Sequence, residues 1–569
     1  MNLTKEQIAI VQSSGDIKIN AVAGSGKTTT LIEYARARPG EKILYLAFNR
    51  AVKLEAERKF AEKGASNVRV ETAHSLAFSQ VIKGGYTLKK DGYKTPEVVE
   101  ILGLNNLDGR HTEHILANHI IAFVSYFCNS DRSKVQELNY EDVVNDPAAK
   151  QFAVNFKDEI LYQTRVFLDK MNKGEVPVLH DFYLKKYQLS RPVLYYDTIL
   201  FDEGQDASES MLDIFLSQKA TKVIVGDSHQ QIYGWRYAVN SLEKVDYPTY
   251  DLSVSFRFDQ QIADIAKEVI NWKRHLKIPA DLKITGAGSK GKVKTRAVIA
   301  RTNAGLLVKA IELLIQKQEI KSVYFEGRIE NYTYAGEGAS IYDVLNLYSG
   351  EKEWIRDKMI ASMKGMKELE EYIENTGDSQ LKILVELVKD YGKKIPGYIK
   401  KLKDCHLDHD DKSKADMVFS TVHRAKGMEY DEVTLAEDFL TESRIVDMAK
   451  GTEQTARLVE EINLLYVAVT RTKSDLYIPD NILPVADEKA QSPGKNKPIV
   501  RSPKNVEIDK SYSLLREKNK SAYAPWTDKE DKRLIDLYQD GKSLKDLAKA
   551  FERTTGAIRS RLKKLSIED

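Results

Sequence analysis

The stretch that most restricts how this chain can fold is DIKINAVAGSGKTTTLIEYARAR, residues 16–38. Asp16 to Ala21 alternates and is rich in Ile, as a buried strand requires, and Thr29 to Arg38 carries Leu31, Ile32 and Tyr34 at helical spacing. A glycine-rich turn between a strand and a helix aims successive backbone N–H groups, and the positive end of the helix, at one point, which is the geometry that receives a phosphate. The phosphate-loop pattern is G-x-x-x-x-G-K-[ST]. Here Ala21 holds its first glycine position, followed by Val22, Ala23, Gly24, Ser25, Gly26, Lys27 and Thr28, with Thr29 next. On this reading Gly24 and Gly26 admit close backbone approach, Lys27 meets the β- and γ-phosphates, and Thr28 meets a Mg²⁺ ion. A Gly/Ser turn ahead of an ordinary helix is the other reading, and Ala21 alone leaves both open.

A nucleotide loop needs a partner acid at the tip of another buried strand. VLYYDTILFDEGQD, Val193 to Asp206, supplies one: an apolar strand ending in Asp202, Glu203, Gly204, Gln205 and Asp206. Asp202 is the expected Mg²⁺ ligand and Glu203 the group that orients and deprotonates an attacking water; an acidic surface turn would read the same way. A third apolar strand, TKVIVGD, runs into SHQQIYGWRYA and brings Asp227 and Gln230 beside the second. Tyr233, Trp235 and Arg236 follow, an aromatic and cationic group suited to base stacking with phosphate contact, although tryptophan is commonly a core residue.

Composition limits the remaining choices. A chain of 569 residues exceeds one core, and at about 150 residues per domain it divides into several units. With 42% hydrophobic and 30% charged residues it reads as a soluble globular protein, and without a long apolar run no membrane partner is expected. The cytoplasm or a nucleus is the expected location. Cys128 and Cys405 are far apart and form no CxxC spacing, so neither a disulfide framework nor a zinc site is indicated. A net charge of +3 does not announce a nucleic-acid partner, so that reading rests on local residues.

The order of these segments resembles the UvrD/PcrA/Rep group of superfamily 1 DNA helicases over residues 1–480, with spacing similar to the F-box DNA helicase branch, although no F-box is evident. LTKEQ at 3–7 looks like the Q motif, which implies that Gln7 reads adenine; AVAGSGKT is similar to the helicase form of the phosphate loop, where alanine at the first position is familiar. LAFNRAV (46–52) and TAHSLA (72–77) resemble motifs Ia and Ib, implying DNA contact by Asn49, Arg50 and His74. FDEGQD resembles motif II and GDSHQQIYGWR motif III, with Tyr233, Trp235 and Arg236 on the DNA. LSVSFRF (252–258) resembles motif IV, so that Phe256 stacks on adenine and Arg257 reaches the γ-phosphate, and AVIARTNA (297–304) looks like the opening strand of a second motor lobe. STVHRAKGMEYDEV (420–433) resembles motif V, implying DNA contact by Thr421 and His423 and ribose contact by Glu429; LLYVAVTRTKSDLYI (464–478) resembles motif VI and makes Arg471 a second arginine finger.

The resemblance implies an α/β architecture of two RecA-like P-loop NTPase lobes with mainly helical insertions, plus a small C-terminal three-helix module. The expected segments are 1–77 with 193–265 for the first lobe, 78–192 for a helical 1B domain, 266–330 with 414–480 for the second lobe, and 331–413 for a shortened 2B-like insertion. It further implies ATP and Mg²⁺ as cofactors, single-stranded and tailed duplex DNA as partners, a monomeric motor and 3′-to-5′ movement. A protein-displacing translocase and a nucleotide-switched DNA-binding regulator are the alternatives. Residues 481–522 read as a basic flexible linker. Beyond it, Thr527 with Glu530 forms a capping box, Trp526, Leu534, Ile535 and Leu537 an apolar face, and Gly541 a stop; Ser543 with Asp546 opens a second helix and Thr554 or Thr555 a third. This 523–569 segment resembles a Myb/SANT-like helix-turn-helix with an incomplete tryptophan core. Its Arg559, Arg561, Lys563 and Lys564 are the candidates for contact with duplex DNA, and a protein partner is the other possibility.

Overall fold

The computed structural model describes residues 3–82, 85–104, 111–144, 146–333, 340–376, 378–450, 455–483, 528–539, 542–551, 558–559, 561–562 and 565. The chain divides into two compact units, Met1–Val500 and Arg501–Asp569.

Aliphatic runs too apolar to face water on either side set the first sheet of the larger unit. Its strands are β1 (Ile17–Ala21), β2 (Ile43–Ala47), β3 (Val68–Thr72), β4 (Thr198–Phe201), β5 (Thr221–Gly226) and β6 (Thr249–Leu252). They lie in the order β3-β2-β4-β5-β1-β6, all parallel, with Ile19 opposite Val225 and Leu46 opposite Phe201. Every residue of β2 and β4 is buried, the mark of strands covered on both faces. Asp16 lies just outside β1, where its carboxylate accepts from Lys222 N at 2.8 Å. The helix expected from Thr29 to Arg38 runs instead over Lys27–Arg36. Gly26, at φ 80°, turns the chain into the helix and puts Lys27 and Thr28 in its first turn.

A second parallel sheet is built from β7 (Arg296–Ala300), β8 (Val323–Phe325), β9 (Met417–Thr421), β10 (Tyr430–Leu435) and β11 (Thr472–Tyr477), in the order β8-β9-β7-β10-β11. The two sheets meet where helix Gln260–Asn271 packs on helix Thr455–Val469. Ile262, Ala263, Ala266 and Ile270 of the former share one core with Ile462, Leu465 and Val469 of the latter. The first helix runs across position 265/266, so its apolar face belongs to both expected lobes.

Between β3 and β4, helices including Thr112–Asn129, Lys157–Lys173 and His180–Leu189 enclose their own core around Leu116, Ile120, Phe167 and Met171. Between β8 and β9, the helices Ile341–Ser349, Met366–Thr376, Ser379–Tyr391 and Ile395–Asp404 bury Val344, Leu384 and Leu402 in the same core as Val298 and Phe325 of the second sheet. That insertion is therefore continuous with its lobe. Its helix Met366–Thr376 also touches the other insertion, where His111 Nε2 lies 3.1 Å from Glu368 Oε1.

In the smaller unit, helix Asp528–Gln539 and helix Leu544–Ala550, the latter capped by Ser543, enclose Leu534, Leu547, Phe551, Ile558 and Leu562. The helical spacing of Ile558 and Leu562 supplies the third side. Arg559 is exposed, whereas Arg561 is engaged with Asp531 through Nε at 2.7 Å. The second arginine expected on nucleic acid is thus used inside the module, because Asp531 stands on the facing helix. Trp526, Thr527, Gly541, Thr554, Thr555, Lys563, Lys564 and the linker 484–522 lie outside the described residues.

Candidate active site

All the phosphate-loop residues stand at the carboxyl end of β1, the end at which open α/β sheets receive ligands. Gly24 (φ 74°) and Gly26 (φ 80°) occupy left-handed conformations. A β-carbon on Gly24 would stand 2.6 Å from Arg257 Cβ and 2.7 Å from Ser255 Oγ, so the loop lies directly against the motif IV segment. No side chain caps helix Lys27–Arg36, which leaves its first-turn N–H groups directed into the loop. Ala23 is buried, Thr28 and Thr29 are half-buried, and the buried Ser25 hydroxyl has no hydrogen-bond partner. An uncapped helix start, two left-handed glycines and an unpartnered buried hydroxyl fit a phosphate chain.

Asp202 and Glu203 follow β4. Tyr45, on the neighbouring β2, donates its hydroxyl to Asp202 Oδ2, and Glu203 N donates to Asp202 Oδ1 at 2.9 Å. Glu203 takes a left-handed backbone, φ 54°, and receives Lys27 Nζ on Oε1 at 2.6 Å. Burial alone would lower the Lys27 pKa, but Glu203 and then Asp202 outweigh it and raise it. Burial pushes Asp202 up, and the adjacent Glu203 adds to the rise. For Glu203 the same burial is outweighed by Lys27 and then Lys426, which hold its carboxyl well down. An acid kept ionised beside one that resists ionisation without a cation suits a water-orienting base next to a metal ligand. Among the described residues no three His, Cys, Asp or Glu side chains form a metal cage. Mg²⁺ typically takes one or two carboxylates and completes its shell with phosphates and water, so Thr28 and Asp202 fit it.

The second sheet reaches this loop from the other side. Arg471, immediately before β11, is 2% exposed; its Nε donates to Val467 O at 2.9 Å and its Nη2 approaches Gln230 Oε1 at 3.4 Å. Gln230 Nε2 donates to Asp227 Oδ2 at 2.8 Å, and Tyr466 OH donates to the same oxygen at 3.0 Å. Burial and then the neighbouring Arg257 push the Arg471 pKa down to about 9, the mark of a cation short of anions. Arg257 bonds Glu429 and, through Nη1, Thr470 O at 2.9 Å. Phe256 N donates to Gly24 O at 2.9 Å while its ring is 45% exposed, a free face beside the loop. Gln7 is buried, with Nε2 donating to Thr30 Oγ1 at 3.2 Å and Oε1 accepting from Thr4 N at 3.0 Å.

The residues expected on nucleic acid separate into open and closed groups. Trp235 is 63% exposed, with Arg236 5.5 Å over its ring and His423 edge-on at 6.2 Å. Tyr233 stacks on Phe48 at 5.5 Å and donates to His423 O at 3.1 Å. His423 Nε2 lies 3.0 Å from Ile232 O, and burial pushes its pKa down to about 4, so it is a neutral ring anchored to backbone. Thr421 is 6% exposed at the end of β9, so it belongs to the closed group. Asn49 and Arg50 are exposed; Asn49 caps helix Arg50–Glu62 by accepting from Val52 N at 2.9 Å. His74 stands farther along, 3.8 Å from Asp181.

Residues 3–246 match the UvrD/REP helicase N-terminal domain and residues 316–481 the UvrD-like helicase C-terminal domain, together more than half of the chain. The chain belongs to the UvrD-like helicase family. F-box DNA helicase 1 of Gallus gallus is 29% identical over 521 residues, covering 85% of this chain and 49% of that protein. F-box DNA helicase protein 1 of Schizosaccharomyces pombe is 26% identical over 528 residues, 84% of this chain and 58% of that protein. The ATP-dependent DNA helicase PcrA of Bacillus subtilis is 28% identical over 304 residues, 47% of this chain and 39% of its own. The chain thus spans only about half the length of the F-box DNA helicases it matches.

Three participants in this UvrD-like site escaped sequence reasoning. Tyr45 reaches Asp202 because β2 pairs with β4, a pairing no local pattern announces. Tyr466 reaches Asp227 from the second lobe. Lys426 bonds Asp206 across the seam; its one local signal is its place in the motif V string before Gly427, whose φ is 83°.

Proposed function

We propose that this UvrD-like chain is an ATP-dependent DNA helicase or single-stranded DNA translocase, moving 3′ to 5′. The observation that carries the reading is the meeting of both lobes at one cleft: Lys27, Glu203 and Gln230 belong to the first sheet, and Arg471, from the second, approaches Gln230 Oε1 at 3.4 Å. Thr28 and Asp202 would hold Mg²⁺, which supplies charge neutralisation on the phosphate oxygens. Lys27 is paired with Glu203 at 2.6 Å, and phosphates competing for its ammonium release Glu203 to orient water. Arg257 and Arg471 answer the negative charge of the transferring phosphoryl group, which favours a closed cleft. Loss of that charge relaxes the cleft.

No helix among the described residues is long and apolar enough to cross a membrane. The open ring of Trp235, with Arg236 above it, supports a stacking contact that tolerates any base. In the C-terminal module, the exposure of Arg559 supports it as the contact to duplex DNA phosphates. The deciding experiment measures ATPase with and without single-stranded DNA, then strand separation on 3′-tailed and 5′-tailed duplexes. DNA-stimulated turnover with unwinding of the 3′-tailed substrate is the expected outcome; turnover indifferent to DNA would refute it.

A further inference from the structure

Lys426 follows the short helix Val422–Ala425 of the second lobe, and its side chain is 9% exposed. Its ammonium bonds Asp206 Oδ2, on a carboxylate with no exposed surface, and donates to Gln230 O at 2.6 Å. It also stands 5.2 Å from the centre of the Tyr233 ring. One lysine therefore touches the acid strand's loop, the loop that holds Gln230, and an aromatic ring behind the exposed Trp235.

The contacts continue on both sides. Asp206 Oδ2 accepts from Gln205 Nε2 at 3.3 Å, Gln205 Nε2 also donates to Glu203 Oε2, and Gln205 Oε1 accepts from Asp227 N at 3.1 Å. Tyr233, two residues before Trp235, in turn donates to the carbonyl of His423, which lies three residues before Lys426 on the other lobe. Asp206 Oδ1 is buried with no hydrogen-bond partner, so this carboxylate depends on Lys426 and Gln205 for its compensation. A buried ion pair is seldom kept for stability, since apolar groups of the same volume often serve as well, and a switch or register role is its best-attested use. Because its two ends sit on different lobes, any relative movement of the sheets changes the Lys426–Asp206 contact and, through Gln205, the setting of Glu203.

We propose that Lys426 is a positioning residue that couples occupancy of the nucleic-acid face to the hydrolytic setting of Glu203, acting through Asp206 and Gln205. The inference rests on the helicase reading above, and it concerns a residue that touches neither nucleotide nor base in that reading.

The test uses the full chain and compares wild type, K426M, K426R, D206N and the K426M/D206N double variant. Steady-state ATPase is measured with and without oligo(dT), alongside affinity for a fluorescent ATP analogue and for the oligonucleotide. The expected result for K426M is a fall of about tenfold in the ratio of DNA-stimulated to basal turnover, with both affinities little changed. K426R recovers part of the ratio, and the double variant is no worse than the poorer single variant, as residues acting in one string are non-additive. A K426M ratio equal to that of a stimulated wild type overturns the inference and leaves the helicase reading standing. So does loss of nucleotide affinity in step with turnover, or strictly additive losses in the double variant. A wild type that DNA does not stimulate at all sinks both. Should K426M fail to fold, K426R and D206N carry the same comparison.

Discussion

Arg257 donates to Glu429 Oε1 through both Nε, at 3.0 Å, and Nη2, at 2.7 Å, joining the motif IV segment beside the nucleotide loop to the second lobe. Lys473 approaches the other Glu429 oxygen at 3.5 Å. The arginine that the motif pattern assigns to the γ-phosphate is thus held by the acid assigned to the ribose. A nucleotide that takes Glu429 frees Arg257, and the two recognition events become linked.

Removing that arginine should therefore cost turnover more than binding. R257A is expected to lower kcat by about a thousandfold, with a smaller change in ATP affinity. R257K should recover little, because a lysine cannot reproduce the forked grip. Steady-state kinetics beside nucleotide-binding titrations check both; a variant whose loss lies wholly in KM would contradict the role.

Lys27 has a second task in the nucleotide-free protein, since it compensates Glu203 and Asp202 in a buried place. K27A should abolish hydrolysis and also destabilise the nucleotide-free chain by about 3 kcal/mol, the scale for removing one partner of a buried pair. K27A/E203Q should recover most of the stability and none of the activity. Thermal unfolding of wild type, K27A, E203Q and K27A/E203Q decides, and a K27A melting temperature equal to wild type would refute the compensating role.

Trp235 keeps 63% of its surface exposed while Arg236 and His423 border its ring. W235A is expected to weaken oligo(dT) binding by about 1–3 kcal/mol, the range for one base-stacking aromatic, with W235F intermediate. Fluorescence anisotropy measures it, and unchanged affinity would place the strand elsewhere.

Much of the fold could be read in the sequence, because the sheets are parallel and buried, so ILYLA, TILF and TKVIVG appear as uninterrupted apolar runs. Their carboxyl ends carry Asp202, Asp227 and the glycine loop within a few residues of each run, which is why motif spacing locates those groups. β6 is different: as an edge strand with only Leu252 buried, TYDL lacks a pattern to recognise. Cross-lobe partners were illegible for a different reason. Lys426 and Asp206 are 220 positions apart, and Arg257 and Glu429 are 172 apart. The packing of helix Thr455–Val469 on helix Gln260–Asn271, and on residues 228–230, brings such pairs together. Likewise, the charge pattern of the third C-terminal helix put Arg559 and Arg561 on equal terms, and the difference between them is made by Asp531 on another helix.

Asp206 offers a pH test of the buried string. Burial raises its pKa to about 6, Lys426 opposes that rise, Glu203 adds to it and Lys27 opposes it, with the Tyr233 phenol also nearby. A native pKa above the ordinary value of 3.8 means that the folded state binds the proton more tightly than the unfolded chain. The stabilising contribution is therefore complete below about pH 4 and is lost as pH rises through about 6, by roughly 3 kcal/mol in all at 1.36 kcal/mol per unit. Asparagine at this position carries no such dependence. The difference in melting temperature between D206N and wild type should accordingly shift in favour of D206N from pH 4 to pH 7. Activity should move the opposite way in wild type, since the Lys426 contact needs the ionised acid: DNA-stimulated turnover falls as pH drops below about 6. A stability difference that is flat across this window would mean that Asp206 is ionised as easily in the folded protein as in water, and that Lys426 fully compensates it.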